Sequence, residues 1–200
     1  MIGALSGSAE DTASVMDALA TALVPAAEEA QTPEALALLR VFGAIGSRGL
    51  RMAATEAAGR VAARGVPDPV WAARIGTPGV GGCWHYGDVG GRQESVTMSF
   101  AYGDRRHALS VLIDHGRGGK VRDAWVGDAT GMLEKTWLAA ESDPLVVFET
   151  IDASEARDRL RRAIGAGECA DRRDQADDVA AHRALLYARI DLLADPPAAG

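Results

Sequence analysis

The chain reads as an α+β protein in which an antiparallel β-meander of four to five strands is packed with N-terminal and C-terminal helices. Three observations predict this. Eight of the ten aromatic residues lie between Trp71 and Phe148. The 39 alanines avoid most of that block, residues 78 to 138 holding only Ala101, Ala108, Ala124 and Ala129. From Cys83 the hydrophobic period is two, whereas the flanks repeat at helical spacing. Strands favour aromatic and branched residues and disfavour alanine, so the middle is sheet and the ends are helix.

The N-terminal third is helical by period. Ser8 or Asp11 can cap a helix carrying Val15, Met16, Leu19 and Leu23, which Pro25 ends or kinks. Thr32 and Pro33 open a second, because threonine supplies a cap oxygen and proline suits the first helical position. Leu38, Leu39, Phe42 and Ile45 are its stripe. Ser47 opens a third, with Leu50, Ala54, Ala57 and Val61 inward and Gly65 at its end. Small residues on that face predict close helix approach. Pro67, Asp68 and Pro69 then lead into a short helical turn through Trp71.

Strands are expected at 83 to 88, 94 to 102, 107 to 114 and 120 to 126, joined by Val89 to Arg92, Gly103 to Arg106 and the glycine-rich His115 to Gly119. Each connection is of hairpin length. A short helix near 129 to 140 and a buried strand over 145 to 151 follow. Asp152 or Ser154 caps a helix ending at Gly165 or Gly167, and a last helix runs from about 174 to 193. The organisation expected is a helical region over 1 to 69, an α+β domain over 70 to 195 and a frayed tail over 196 to 200.

Hairpin lengths also predict register: His85 opposite Val96, Phe100 opposite Leu109, and Val111 opposite Asp123. One face then carries Cys83, His85, Val96, Met98, Phe100, Leu109, Val111, Ile113, Val121, Asp123 and Trp125, and is the core. The other mixes Trp84, Tyr86 and Arg122 with Ser95, Thr97, Ser110, Leu112, Asp114 and Ala124. An amphipathic floor of this kind suits a small ligand, with Trp84, Tyr86 and Arg122 as its contacts. The alternatives are that a helix covers it or that it is the solvated side of the sheet.

The formal net charge of -7, spread along the chain, argues against whole-surface attraction to nucleic acid or anionic lipid. Arg105, Arg106, Arg117, Lys120 and Arg122 cluster locally, but Asp104, Asp114 and Asp123 interleave with them. Solvated hairpin ends explain the cluster better than a nucleic-acid surface does. No apolar stretch reaches the 18 to 20 residues of a membrane span. With two distant cysteines, Cys83 and Cys169, and no basic residue before Glu10, the expected setting is cytoplasmic with reduced thiols.

The richest chemical grouping is Asp114 and His115 at the mouth of the glycine hairpin, with Asp123 on the returning strand. An imidazole beside carboxylates can act as a general base. The spacing matches no metal-ligand set, so no metal is expected. Asp114 also has a structural alternative, bonding the amides of the turn that follows. Gly116 to Lys120 fails as a phosphate loop, since Val121 follows the lysine and Asp114 stands where the first glycine belongs. There is no CxxC and no nucleophile elbow. No cofactor is expected.

The block Trp84-His85-Tyr86-Gly87-Asp88-Val89, Ser99-Phe100-Ala101-Tyr102, His107-Ala108-Leu109, Ile113-Asp114-His115, Gly118-Gly119 and Asp123-Ala124-Trp125 resembles a group of uncharacterised actinobacterial proteins of unknown function. The likeness spans residues 68 to 193. It implies a domain and a source, and it carries no catalytic residues over. Gly116 and Arg117 make the hairpin of this chain more basic than the group implies.

Two functional expectations follow. The leading one is a cytoplasmic binding or regulatory module acting through association with a protein partner or a second copy, with a possible small-ligand face on the sheet. The other is an enzyme, a hydrolase, using Asp114, His115 and Asp123 around the hairpin at 114 to 123.

Overall fold

A computed structural model describes residues 21–45, 47–168 and 177–193. The chain divides into two compact units, Met1–Thr77 and Pro78–Gly200. In the first, helix α1 occupies residues 21–30, α2 is Pro33–Ile45, α3 Arg48–Ala63 and α4 Ala72–Ile75. Thr32 caps α2 as its sequence predicts: its Oγ1 accepts the Ala35 N–H at 3.2 Å. Ser47 does the same for α3 through the Leu50 N–H, at 3.4 Å. Residues 21–30 are helical on both sides of Pro25, so of its two expected effects, ending or kinking the helix, it does not end α1; Val24 and Ala27 beside it are buried. The proposed starts at Ser8 and Asp11 lie outside the described residues.

Small residues let α2 and α3 approach closely. Ala54, Ala57, Ala58 and Val61 of α3 are fully buried against Leu36 and Leu39 of α2. A Cβ at Gly43 would lie 2.8 Å from Thr55 Oγ1, so a side chain there would force that hydroxyl to shift. Arg60 with Glu28, and Arg40 with Asp68, form two-pronged ion pairs at the rim.

The second unit is α+β. Strands β1 (Gly79–Asp88), β2 (Gln93–Tyr102), β3 (Arg105–Asp114), β4 (Lys120–Asp128) and β5 (Val146–Ile151) form one antiparallel sheet in the order β4-β3-β2-β1-β5. Helices α5 (Ala129–Ser142), α6 (Ala153–Glu168) and α7 (Asp177–Ile190) complete it. Two register expectations are corrected. His85 does face Val96, but Phe100 faces His107 rather than Leu109. The β2–β3 turn is only Gly103 and Asp104, made possible by Gly103 at φ +61°. A shift of two residues leaves the faces unchanged.

The second correction does change faces. The ladder between β3 and β4 is irregular at Leu112 and Ile113, so Val111 faces Ala124, not Asp123. An odd-numbered slip turns every later side chain over. Ala124 is therefore buried in the core, while Trp125 is 37% exposed.

The core lies on the face of Cys83, Val96, Met98, Phe100, Leu109, Val111 and Ile113, packed under Ala156, Leu160 and Ala163 of α6 and Leu186 and Ile190 of α7. Helix α5 packs against β3, β4 and β5 on the opposite face, where a Cβ at Gly127 would meet the Met132 methyl at 2.9 Å. Beneath it Ser95, Thr97 and Ser110 are buried, with Thr97 and Ser110 joined by a 2.8 Å hydrogen bond. No described helix is long and apolar enough to cross a membrane.

Leu160 is fully buried between helix and sheet. Leu160→Ala is expected to lower unfolding free energy by about 2–5 kcal/mol in urea titration; a loss below about 1 kcal/mol would contradict this packing.

Candidate functional site

Two loops meet at one end of the sheet because β2 lies between β1 and β3, which places Gln93 opposite Asp114. The carboxylate of Asp88 accepts the N–H groups of Arg92, at 3.1 Å, and Gln93, at 2.8 Å. Those amide bonds hold its pKa below the ordinary range. Asp114 Oδ2 accepts from Gln93 Nε2 at 3.4 Å and Arg122 Nη1 at 3.3 Å, with Arg117 Nε 3.9 Å away. An open cleft of about 460 Å³ is lined by Asp88, Arg92, Gln93, Asp114, Gly116 and Arg117.

The glycine loop closes on itself. The N–H groups of His115 and Gly116 donate to the Arg92 carbonyl, Gly118 N–H to His115 O, and Gly119 N–H to Asp114 O. Gly118 at φ +86° and Gly119 at φ +72° allow that return. These four amides already have acceptors.

On the core side of the same end stands Glu94, a residue the sequence reading left unassigned. Its side chain is 12% exposed. Oε1 meets His115 Nε2 at 2.9 Å, and Oε2 meets His85 Nε2 at 3.1 Å and Arg159 Nη1 of α6 at 2.5 Å. Arg159 in turn holds Glu155 at 2.6 Å, and Glu149 Oε1 lies 3.2 Å from His85 Nδ1. Gly87 leaves room for this, since a Cβ there would stand 3.0 Å from His85 Nε2. Burial pushes the Glu94 carboxyl up, but the hydrogen bonds from His115 and Arg159 and the charges of Arg159 and His85 outweigh it and hold the pKa down. One sequence signal pointed here: Glu94 continues the core-facing alternation of Val96, Met98 and Phe100, where a carboxylate needs partners.

The residues singled out from sequence separate. Asp114 lines the cleft, His115 turns to Glu94, and the Asp123 carboxylate accepts the Ala124 N–H at 2.8 Å beside the irregular step. Among the described residues no hydrogen bond or ion pair joins any two of these three. Trp84 and Tyr86 stand half-buried on the α5 face, opposite Thr97 and Ser95. Arg122 reaches Asp114 instead, three strands from Trp84 and Tyr86, or about 14 Å at ordinary strand spacing.

The Cys83 thiol is buried, and burial pushes its pKa up to about 11. That makes it a poor nucleophile. Cys169 lies outside the described residues. Among the described residues no group of three or more His, Cys, Asp or Glu is arranged to hold a metal ion. No protein-family model matches the chain, and no curated protein or solved structure is significantly similar to it.

Because the Glu94 pKa is lower folded than unfolded, its contribution is complete at neutral pH and disappears as pH falls through the folded value. Glu94→Gln is expected to lose about 2 kcal/mol at pH 7. The gap to wild type should close in acid-urea titrations; a gap independent of pH would refute the ionic account.

Proposed function

We propose that the chain is a binding module that associates with a second copy of itself through the α5 face of the Pro78–Gly200 unit. The observation that carries this is the apolar surface there. Trp137 and Leu138 on α5 are 47% and 51% exposed, and Trp125 of β4, opposite Ser110, stands on the same side of the sheet. Tryptophan is the residue most enriched among the side chains that dominate interfaces. Exposed Glu134 and Lys135 sit on the same helix, so the face carries both signs and can complement itself across a two-fold axis. The wild-type chain should show twice its monomer mass in size-exclusion light scattering, and Trp137→Glu the monomer mass. A wild-type monomer at high concentration would end this reading.

A second reading, a small anionic ligand in the hairpin cleft, has one observation in its favour. Both carboxylates there are engaged, whereas Arg92 has no side-chain partner among the described residues and Arg117 reaches Asp114 only at 3.9 Å. Guanidinium groups suit carboxylates and phosphates. Titration with citrate should show binding that Arg117→Ser weakens about tenfold; unchanged affinity would exclude the cleft. A hydrolase draws less support, since the loop amides of His115, Gly116, Gly118 and Gly119 donate within the loop and His115 is held by Glu94. We also place the protein in the cytoplasm, on the ground that Cys83 is a free thiol.

A further inference from the structure

At the opposite end of the sheet, Arg189 of α7 is 4% exposed. Its guanidinium carbon lies 5.2 Å from the centre of the Phe100 ring and 5.8 Å from that of Tyr102, and Nη2 donates to the Tyr102 hydroxyl at 3.0 Å. The His107 imidazole stacks on both rings, with centroids 5.6 and 5.8 Å away. Nε and Nη1 are buried and have no hydrogen-bond partner among the described residues. Among the described residues Arg189 forms no ion pair.

An unanswered buried charge is costly. Aromatic faces return part of the hydration that Arg189 gives up, but they supply no acceptor for its N–H groups. The neighbouring acids are turned elsewhere: Asp128, opposite His107, caps α5 through the Gly131 N–H, and Asp191 lies 3.7 Å from Arg161. Exposed Arg105 and Arg106 add positive charge at this end, beside the exposed carboxylates of Asp104 and Asp128. Burial, then the Arg189 charge, lowers the His107 pKa. Of the residues around Arg189, Tyr102 and His107 are only half-buried.

We propose that Arg189 anchors a binding site for a small oxyanion, a carboxylate or a phosphate group, which accepts from Nε or Nη1 and is bordered by Phe100, Tyr102 and His107. This site is separate from the hairpin cleft. His107 and Asp114 are seven residues apart on β3, about 23 Å. It does not depend on self-association or on the cleft reading.

The test is thermal unfolding of the full chain in acetate and in phosphate, each against chloride at matched ionic strength. A bound anion raises the midpoint with saturation, whereas general salt exclusion does not saturate. The wild type should show a saturable rise with at least one of the two, the responding anion identifying the ligand class. Arg189→Met should weaken the effect by about tenfold or more, while Arg117→Ser in the cleft leaves it intact. Arg189→Gln serves if the methionine variant does not fold. No saturable rise in the wild type with either anion would overturn the proposal. So would a rise that Arg189→Met or Arg189→Gln retains.

Discussion

Strand β4 carries one more residue than β3 can pair between Val121 and Asp123, and the make-up of the outer half of the sheet follows from where that residue sits. With even alternation, Asp123 and Trp125 would be driven into the core beside Val111, a burial that would leave a carboxylate without partners. The extra residue is Arg122, free of the ladder and close enough to bond Asp114. Beyond it Ala124 faces Val111 and Trp125 faces Ser110. The same step frees the Ala124 N–H, which Asp123 takes up. Core composition and exposed indole thus have one cause.

The two ends of the sheet treat buried charge in contrary ways. At the Glu94 end one carboxylate answers two imidazoles and a guanidinium, and through Arg159 it ties α6 to β2. At the Arg189 end a guanidinium has ring faces and one hydroxyl, and no carboxylate partner among the described residues. In the first, both carboxylate oxygens of Glu94 are engaged from within the chain. The second leaves two guanidinium nitrogens, Nε and Nη1, without an acceptor among the described residues.

Local chemistry was readable from the sequence. Thr32 and Ser47 cap where their side chains imply, and the Gly90–Gly91 turn gives the His85 and Val96 pairing. What could not be read were features set by non-local partners. The Gly103–Asp104 turn is two residues rather than four because Arg105 and Arg106 join the strand, and polar residues at a hairpin end do not declare themselves strand or turn. Asp114 and His115 are neighbours in sequence, yet the carboxylate bonds Arg122 while the imidazole bonds Glu94 across the chain's turn into the 3-10 segment His115–Arg117. Glu94 was legible as a carboxylate in a core-facing row, but its partners Arg159 and His115 come from other elements. Arg189, within a helix of mixed charge, gives no sign of burial until α7 is laid on β4.

Helix α5 carries the chain from β4 at one edge of the sheet to β5 at the other. The hairpins of the meander close short loops, whereas joining β5 to β1 closes one of about sixty residues, an entropic penalty of about 3.6 kcal/mol against about 1.2 for a four-residue turn. Cys83 faces Ile151 in that pairing. Its thiol is thus a native reporter of fraying at this edge, silent while the sheet is whole and open to alkylation when its last strand lifts away.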